Sequence, residues 1–161
     1  MISFEEIYAE NHITLYRLAK KMVADGADVS DILQDVFIDL YGKLNNGHEI
    51  RHPKSWLYKA TCNKCIDRIR KQKRLQNLDT ARNFTIEEES LEKQDLSIAL
   101  KKALLKMKPR DRMLAVLYSE GLSYKEMAEI TGIRFVSVGK LLARTLEKLG
   151  KNFKDQGYEL Y

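Results

Sequence analysis

Apolar residues recur every three or four positions along most of the chain, the spacing that lines one face of an α-helix. In the first half this pattern predicts three helices, over about 3–24, 30–44 and 53–75, with Gly26 ending the first and Pro53 opening the third. The apolar positions of the first two helices are Phe4, Ile7, Tyr8, Leu15, Leu18 and Met22, and then Ile32, Leu33, Val36, Phe37, Leu40, Tyr41 and Leu44. We expect these positions to face the core of a small helical bundle.

The helical pattern resumes in the second half of the chain. Four helices are predicted over about 96–155, where Pro109 opens the second, Gly121 ends it, and Gly132 separates the last two. The alternation of apolar and polar residues that is typical of β-strands does not occur. The sequence therefore predicts an all-α fold.

A polar segment separates the two helical stretches. Residues 79–95 contain six acidic and two basic side chains and few apolar ones, which is typical of a linker. We therefore predict two small helical domains, residues 1–75 and 96–161, joined by an acidic linker at 76–95.

The composition narrows the class of protein. The chain has 161 residues and a formal net charge of +5, and its two cysteines are too few for a disulfide framework. No apolar run reaches about 18 residues, and the N-terminus lacks the basic and apolar segments of a signal sequence. We expect a cytoplasmic protein with no membrane insertion, and the small positive excess is compatible with a polyanionic partner.

Charge is segregated along the first half of the chain. Residues 25–40 hold five aspartates and no lysine or arginine, whereas residues 51–74 hold nine basic side chains and one acid. Solvated helix faces are the ordinary explanation. The basic stretch also contains Trp56, Tyr58 and Asn63, and single-stranded nucleic acid is bound by such cations, aromatic rings and amides. For Trp56, burial in the bundle is the competing use.

The second half contains a helix-turn-helix pattern. Ser123 and Glu126 stand at the spacing of a capping box, Gly132 supplies a turn, and Ile133 and Val138 are apolar where the next helix must pack. In this motif the second helix enters the major groove of duplex DNA. An ordinary helical hairpin is the alternative.

Three segments of the chain resemble one known family. Residues 30–37 resemble region 2.2 of the sigma-70 family, residues 52–71 its regions 2.3 and 2.4, and residues 106–132 its region 4. The form is that of the small extracytoplasmic-function (ECF) sigma factors of bacteria. The resemblance implies a promoter-recognition subunit that binds core RNA polymerase and promoter DNA and has no catalysis of its own, with an anti-sigma factor as a candidate partner.

The resemblance also implies three sets of site residues. The polymerase-binding set on the acidic helix is Asp31, Gln34, Asp35 and Asp39. The set for the melted −10 element is His52, Trp56, Lys59, Asn63, Lys64, Arg68 and Arg70. The set for the duplex −35 element is Ser123, Tyr124, Lys125, Arg134, Ser137, Lys140 and Arg144.

The predicted recognition helix departs from the family pattern. Gly139 and Leu141 stand where basic residues are usual, and glycine inside a helix costs up to ~1 kcal/mol. This departure predicts a −35 contact that is weak or of unusual sequence.

Two cysteines need a separate explanation. Cys62 and Cys65 lie three positions apart on a predicted helix, with His48 and His52 nearby in the sequence. Such a set can hold zinc, and a cysteine pair can act as a redox switch. Because there is no second pair, we favour core packing and predict no metal site.

Since the sequence also lacks a Ser/His/Asp set and a glycine-rich phosphate loop, we expect no catalytic residues, no cofactor and no small-molecule substrate.

Two alternatives to a sigma factor remain at this point. One is a helix-turn-helix DNA-binding regulator that never joins polymerase, which would leave the acidic surface unexplained. The other is a sigma-like decoy that binds a regulator but does not direct transcription. Copurification with core polymerase and a transcription assay distinguish them.

Overall fold

The computed structural model describes residues 2–78 and 92–157, and all of its regular secondary structure there is helical. The helices are α1 (Phe4–Met22), α2 (Gly26–Asn45), α3 (Pro53–Leu78), α4 (Glu92–Leu105), α5 (Pro109–Ser119), α6 (Tyr124–Thr131) and α7 (Phe135–Lys154). The all-α prediction is confirmed.

The observed helix boundaries differ from the predicted ones where a cap decides them. Gly26 does not end α1; it begins α2, because the Asp25 side chain accepts a hydrogen bond from the Ala27 N–H and so caps the new helix. At the other interruption, α3 runs to Leu78 and α4 begins at Glu92, so both extend into the predicted linker. The remainder of the predicted acidic linker lies outside the described residues.

The two halves of the chain share one hydrophobic core. Buried residues of α1–α3 and of α5–α7 belong to a single cluster, in which Leu15 and Met22 on α1 and Leu117 and Met127 in the second half are almost fully buried. Helix α1 packs against α4 and α5, and α3 packs against α5 and α6. The two predicted units therefore lie directly against each other.

A buried arginine joins the ends of two helices across this interface. Arg112 is 4% exposed, and its Nη1 donates a 2.6 Å hydrogen bond to the carbonyl oxygen of Met22, the last residue of α1. Its Nε and Nη2 donate to carbonyl oxygens at and just after the end of α4, those of Leu104, Leu105 and Met107. Helix C-termini leave carbonyl groups without intrahelical donors and carry partial negative charge, so one guanidinium satisfies both ends.

Ion pairs close the same interface at its edge. The carboxylate of Glu120, just after α5, accepts from Arg17 at 3.1 Å and from Lys21 at 3.0 Å, and both cations lie on α1. Lys101 on α4 donates a 2.9 Å hydrogen bond to the carbonyl oxygen of Lys20. The contact between the halves is thus mainly apolar, with the buried Arg112 inside it and ion pairs at its edge.

We expect the free energy of unfolding to fall by about 3 kcal/mol or more when Arg112 is replaced by Ala. The substitution removes the guanidinium donors from carbonyl groups at the ends of α1 and α4, and of these the Leu104 carbonyl keeps a backbone donor, the Met107 N–H. Loss of a hydrogen bond to a buried carbonyl group is costly in the core. Arg112→Lys should recover little of this, because a compact ammonium cannot reproduce a planar fan of donors. Urea unfolding measures the effect. Arg110→Ala, an exposed neighbour on α5, is the control and should stay within about 0.5 kcal/mol of wild type.

The two cysteines of α3 lie in the core rather than at a reactive surface. Cys62 is 1% and Cys65 0% exposed, both are free thiols, and burial raises the pKa of Cys65 to about 12 and the pKa of Cys62 well above its ordinary value. Burial also raises the pKa of Tyr58 to about 12.

From these shifts we predict that the protein loses stability as the pH rises above about 9. The unfolded thiols ionise near their ordinary pKa, whereas the folded protein keeps them neutral, so the stabilisation is complete below that pKa and is lost as the pH approaches 12. Unfolding curves between pH 8 and 11 measure it. In the same range a thiol reagent should modify Cys62 and Cys65 only as fast as the chain opens, and labelling of the folded protein at the rate of a free thiol would contradict the prediction.

Candidate protein and nucleic-acid interfaces

The acidic helix α2 presents an uncompensated polar face. Asp31, Gln34 and Asp35 are exposed, and within the described residues neither Asp31 nor Asp35 has a lysine or arginine partner. Asp39 differs, because its carboxylate lies 3.1 Å from Lys64 Nζ on α3. The free acidic face therefore centres on Asp31 and Asp35.

An apolar groove runs beside that acidic face, between α1 and α2. It has a volume of about 650 Å³ and includes Gln34 in its wall. Ile13 and Ile38 are each 62% exposed in it. The other side chains that line it are Phe4, Tyr8, His12, Tyr16, Ser30, Leu33, Phe37 and Tyr41. An exposed apolar patch of this kind next to charged residues is typical of a protein-binding surface.

This groove was not predicted from the sequence. Tyr8 and Tyr41 were expected in the core, whereas the structure leaves them 43% and 51% exposed. The available signal was Ile13 and Ile38, which are large apolar residues outside the apolar stripe of their helices. Large apolar residues on the helix face that the pattern assigns to solvent indicate a candidate protein-binding surface.

The outer face of α3 combines an aromatic ring, a cation and an amide. Lys59 and Asn63 are exposed, while Trp56 is partly buried and packs against the core. Lys43 Nζ lies 5.5 Å from the centre of the Trp56 ring, a cation–π distance. The indole thus lies at the edge of the core, so its burial is partial, and its contact with nucleic acid stays a prediction.

Of the other residues predicted to bind the −10 element, some are exposed and some form ion pairs with α2. His52 and Arg70 are exposed. Arg68 forms an ion pair with the buried Asp28, which also accepts a hydrogen bond from Gln72, and Lys64 pairs with Asp39. These pairs fasten α2 to α3, so the side chains of Arg68 and Lys64 contribute to packing as well as to surface charge.

The helix-turn-helix has the geometry that its sequence predicts. The Ser123 hydroxyl accepts a hydrogen bond from the Glu126 N–H, and the Glu126 carboxylate accepts one from the Ser123 N–H. The Ser123 side chain therefore serves as the N-cap of α6. The hydrogen bond from the Ser123 N–H is the main reason that the pKa of Glu126 is lowered. Gly132 ends α6 with a φ of 76°, and Met127 and Val138 are fully buried beneath the two helices.

The recognition helix α7 carries positive charge on its exposed face. Arg134, Lys140 and Arg144 are exposed, and none of them pairs with an acid in the part of the chain that the structure describes. A side chain at Gly139 would place its Cβ 3.4 Å from Cε2 of Tyr124. The Tyr124 ring therefore lies beside Gly139, at van der Waals distance from the position of a Cβ.

The two candidate DNA surfaces belong to helices that contact each other. Helix α6 packs on α3, and Lys54 Nζ lies 3.5 Å from a carboxylate oxygen of Glu126. Tyr58, next to this pair along α3, is buried. In this arrangement the helix-turn-helix and the basic helix form one body.

Residues 2–78 and 92–157 contain no group of three or more His, Cys, Asp or Glu side chains placed to hold a metal ion. Within the same ranges, no helix has both the length and the apolar character that crossing a bilayer requires.

Comparison with known proteins matches both halves of the chain. Residues 7–75 match the family pattern of sigma-70 region 2, and residues 97–149 match that of sigma-70 region 4. The sigma factor SigV of Bacillus subtilis is 34% identical over 138 residues, which cover 82% of this chain and 80% of that protein. The ECF RNA polymerase sigma factor SigW of the same organism is 28% identical over 156 residues, with coverage of 88% and 83%.

A solved structure has a similar fold along nearly the whole chain. It is the sigma factor RpoE in complex with the anti-sigma factor NepR from Bartonella quintana, with a TM-score of 0.72, 21% identity, and coverage of 94% of this chain and 96% of that one. Both sigma-70 regions, in order, and these relatives show that the chain belongs to the sigma-70 family of RNA polymerase sigma factors, among its extracytoplasmic-function members.

Proposed function

We propose that this chain joins core RNA polymerase and directs it to promoters, where it opens the −10 element and reads the −35 duplex. The observation that carries the proposal is the separation of three exposed surfaces: an acidic face with an apolar groove on α1 and α2, a basic face on α3, and a basic recognition helix α7. A protein partner and two forms of DNA would use different surfaces. The chain itself would supply no catalysis and no cofactor, and it would act in the cytoplasm, where polymerase and DNA meet.

The surface on α1 and α2 suits a partner with basic and apolar side chains. Asp31 and Asp35 offer carboxylates one helical turn apart, and the groove beside them leaves Ile13 and Ile38 to be covered. Charge steers such an encounter, and burial of the apolar side chains supplies affinity. We assign core polymerase to this surface. Asp39 contributes less, since Lys64 already neutralises it.

The surface on α3 suits a single strand of DNA. Trp56 offers the exposed part of its ring for stacking, Lys59 a cation for a phosphate, and Asn63 an amide for a base edge. Arg70 extends the positive surface at one end of this stretch, and the exposed His52 adds a hydrogen-bonding ring at the other. Opening a duplex exposes the bases that such a stripe binds, so this surface favours the melted strand.

The closed packing of the two halves must open for both promoter elements to be reached. The elements lie roughly 25 base pairs apart, which is ~85 Å at about 3.4 Å per base pair. A compact chain of this length has a radius of gyration of only about 15 Å. The contacts of Arg112 and Glu120 across the interface would therefore be released in the working complex. An anti-sigma factor is a proposed partner that would favour a form unable to bind polymerase.

Reconstitution with core polymerase tests the function directly. We expect the chain to copurify with core polymerase and to produce discrete run-off transcripts from a subset of genomic fragments. Binding to DNA without binding to polymerase would favour a separate helix-turn-helix regulator. Binding to a regulator with no transcription would favour a decoy.

Reversing the charge of the acidic face should abolish polymerase binding. In the double variant Asp31→Lys and Asp35→Lys, the exposed carboxylates become cations that repel a basic partner, while stability should change little because exposed charges contribute little to it. Titration of core polymerase with labelled chain measures affinity. The matched control is Glu6→Lys with Glu10→Lys, an exposed pair at the same spacing on α1 that changes the net charge equally. Wild-type affinity of the Asp31/Asp35 variant would exclude this surface.

Removing the polar groups of the α3 stripe should impair strand opening. Lys59→Ala and Asn63→Ala should bind core polymerase and duplex promoter normally but open the promoter several-fold less well, because both side chains are exposed and would contact only the separated strand. Permanganate footprinting of unpaired thymines measures opening. A template with a pre-melted bubble should partly restore transcription. If both variants open duplex promoters as well as wild type, the stripe is not the strand-opening surface.

A further inference from the structure

We propose that Val136, with Phe135 beside it, reads thymine in the −35 duplex through contact with the C5 methyl group. The inference rests on the proposed function, since it specifies what the recognition helix detects. Neither the sequence pattern nor the family resemblance assigned these two residues to the interface.

The first observation is exposure. Val136 is 78% exposed, more than any other large hydrophobic residue in the described part of the chain, and Phe135 is 59% exposed. Both lie in the first turn of α7, which begins at Phe135. A β-branched valine and an aromatic ring gain little from a solvent-exposed helical position, because both have only moderate helix propensity. Their placement therefore favours a partner that covers them.

The surrounding charge identifies that partner. From Thr131 to Leu146 the chain has three basic residues and no acidic one. Two of these, Lys140 and Arg144, follow Val136 at intervals of four residues, so the three side chains form one stripe along α7. An apolar contact point with cations on its flank fits the major groove, where phosphates line the edges and bases form the floor.

Within that groove, thymine is the base with an apolar group to offer. Its C5 methyl projects into the major groove, whereas the other base edges present donors and acceptors there. In a helix-turn-helix, the residues at the N-terminus of the second helix are those that contact base edges. Val136 and Phe135 occupy that position, and both are hydrocarbon side chains.

The atypical residues of α7 point in the same direction. Gly139 has no side chain, and its space is bordered by the Tyr124 ring, while Leu141 is aliphatic. Neither position can form the paired hydrogen bonds by which arginine or asparagine identifies a base. Reading by hydrogen bonds is thus reduced on this helix, and reading by apolar contact takes a larger share.

The experiment begins by selecting the preferred −35 sequence. The complete chain, bound to core polymerase, selects binders from promoters in which only the −35 segment is randomised. We expect thymine at one or two positions of the selected strand pair. Each of these thymines is then replaced by deoxyuridine, which removes the methyl group and leaves every hydrogen-bonding group unchanged.

For the wild-type holoenzyme, replacement at a contacted position should weaken binding about threefold to fivefold, the effect of exposing one buried methyl group. In Val136→Ala or Phe135→Ala, binding to the thymine promoter should weaken by a similar factor. The thymine-to-deoxyuridine ratio, which is the affinity for the thymine promoter divided by the affinity for the deoxyuridine promoter, should approach one at the corresponding position. Any effect of deoxyuridine on DNA shape cancels in this comparison between proteins.

Lys140→Ala is the control that separates reading from phosphate binding. It should weaken binding to both promoters equally and flatten the dependence of log K on log salt by about 1, while the thymine-to-deoxyuridine ratio stays at its wild-type value.

Two results would overturn the inference, and they are distinguishable from failure of the proposed function. One is a wild-type ratio of one at every thymine of a selected site. The other is a wild-type ratio that persists in both the Val136 and Phe135 variants. If the chain binds core polymerase but the resulting holoenzyme selects no −35 sequence, the proposed −35 reading fails, and the thymine contact fails with it.

Discussion

The guanidinium of Arg112 lies where the C-termini of α1 and α4 meet, and the packing of the two halves depends on it. Carbonyl groups at these helix ends are buried by the packing and need donors that their own helices do not supply. A planar cation with five N–H groups provides them from one side chain, and its charge complements the negative ends of both helix dipoles. The apolar core around it therefore closes without leaving these carbonyl groups unsatisfied.

This closed packing determines which surfaces remain outside. The interface uses the inner faces of α1, α3, α4, α5 and α6, and Glu120 lies at its rim with its two partners, Arg17 and Lys21. The acidic face and groove of α1 and α2 lie elsewhere, as do the outer stripe of α3 and the exposed face of α7. In this compact body the proposed protein surface and both DNA surfaces therefore remain exposed. The two DNA surfaces are nevertheless too close together to span a promoter.

Local signals in the sequence were sufficient for most of the fold. The capping box of Ser123 and Glu126, the left-handed turn at Gly132 and the start of α3 at Pro53 depend on neighbouring residues, and all three were predicted. The start of α2 was wrong because Asp25 and Gly26 are compatible with either ending one helix or beginning the next. The exposed groove was missed because a helical stripe identifies apolar positions without saying which of them find a partner within the chain.

The sequence by itself determined the helices, the separation of acidic from basic stretches and the helix-turn-helix, since each follows from side chains within a few turns of one another. Only the tertiary structure decided that the two halves share a core, that Arg68 and Lys64 pair with aspartates of α2, and that Tyr8 and Tyr41 face a groove. It also placed the ring of Tyr124 beside Gly139. These features depend on contacts between residues that are distant in the chain, and a periodic pattern carries no information about which distant surfaces meet.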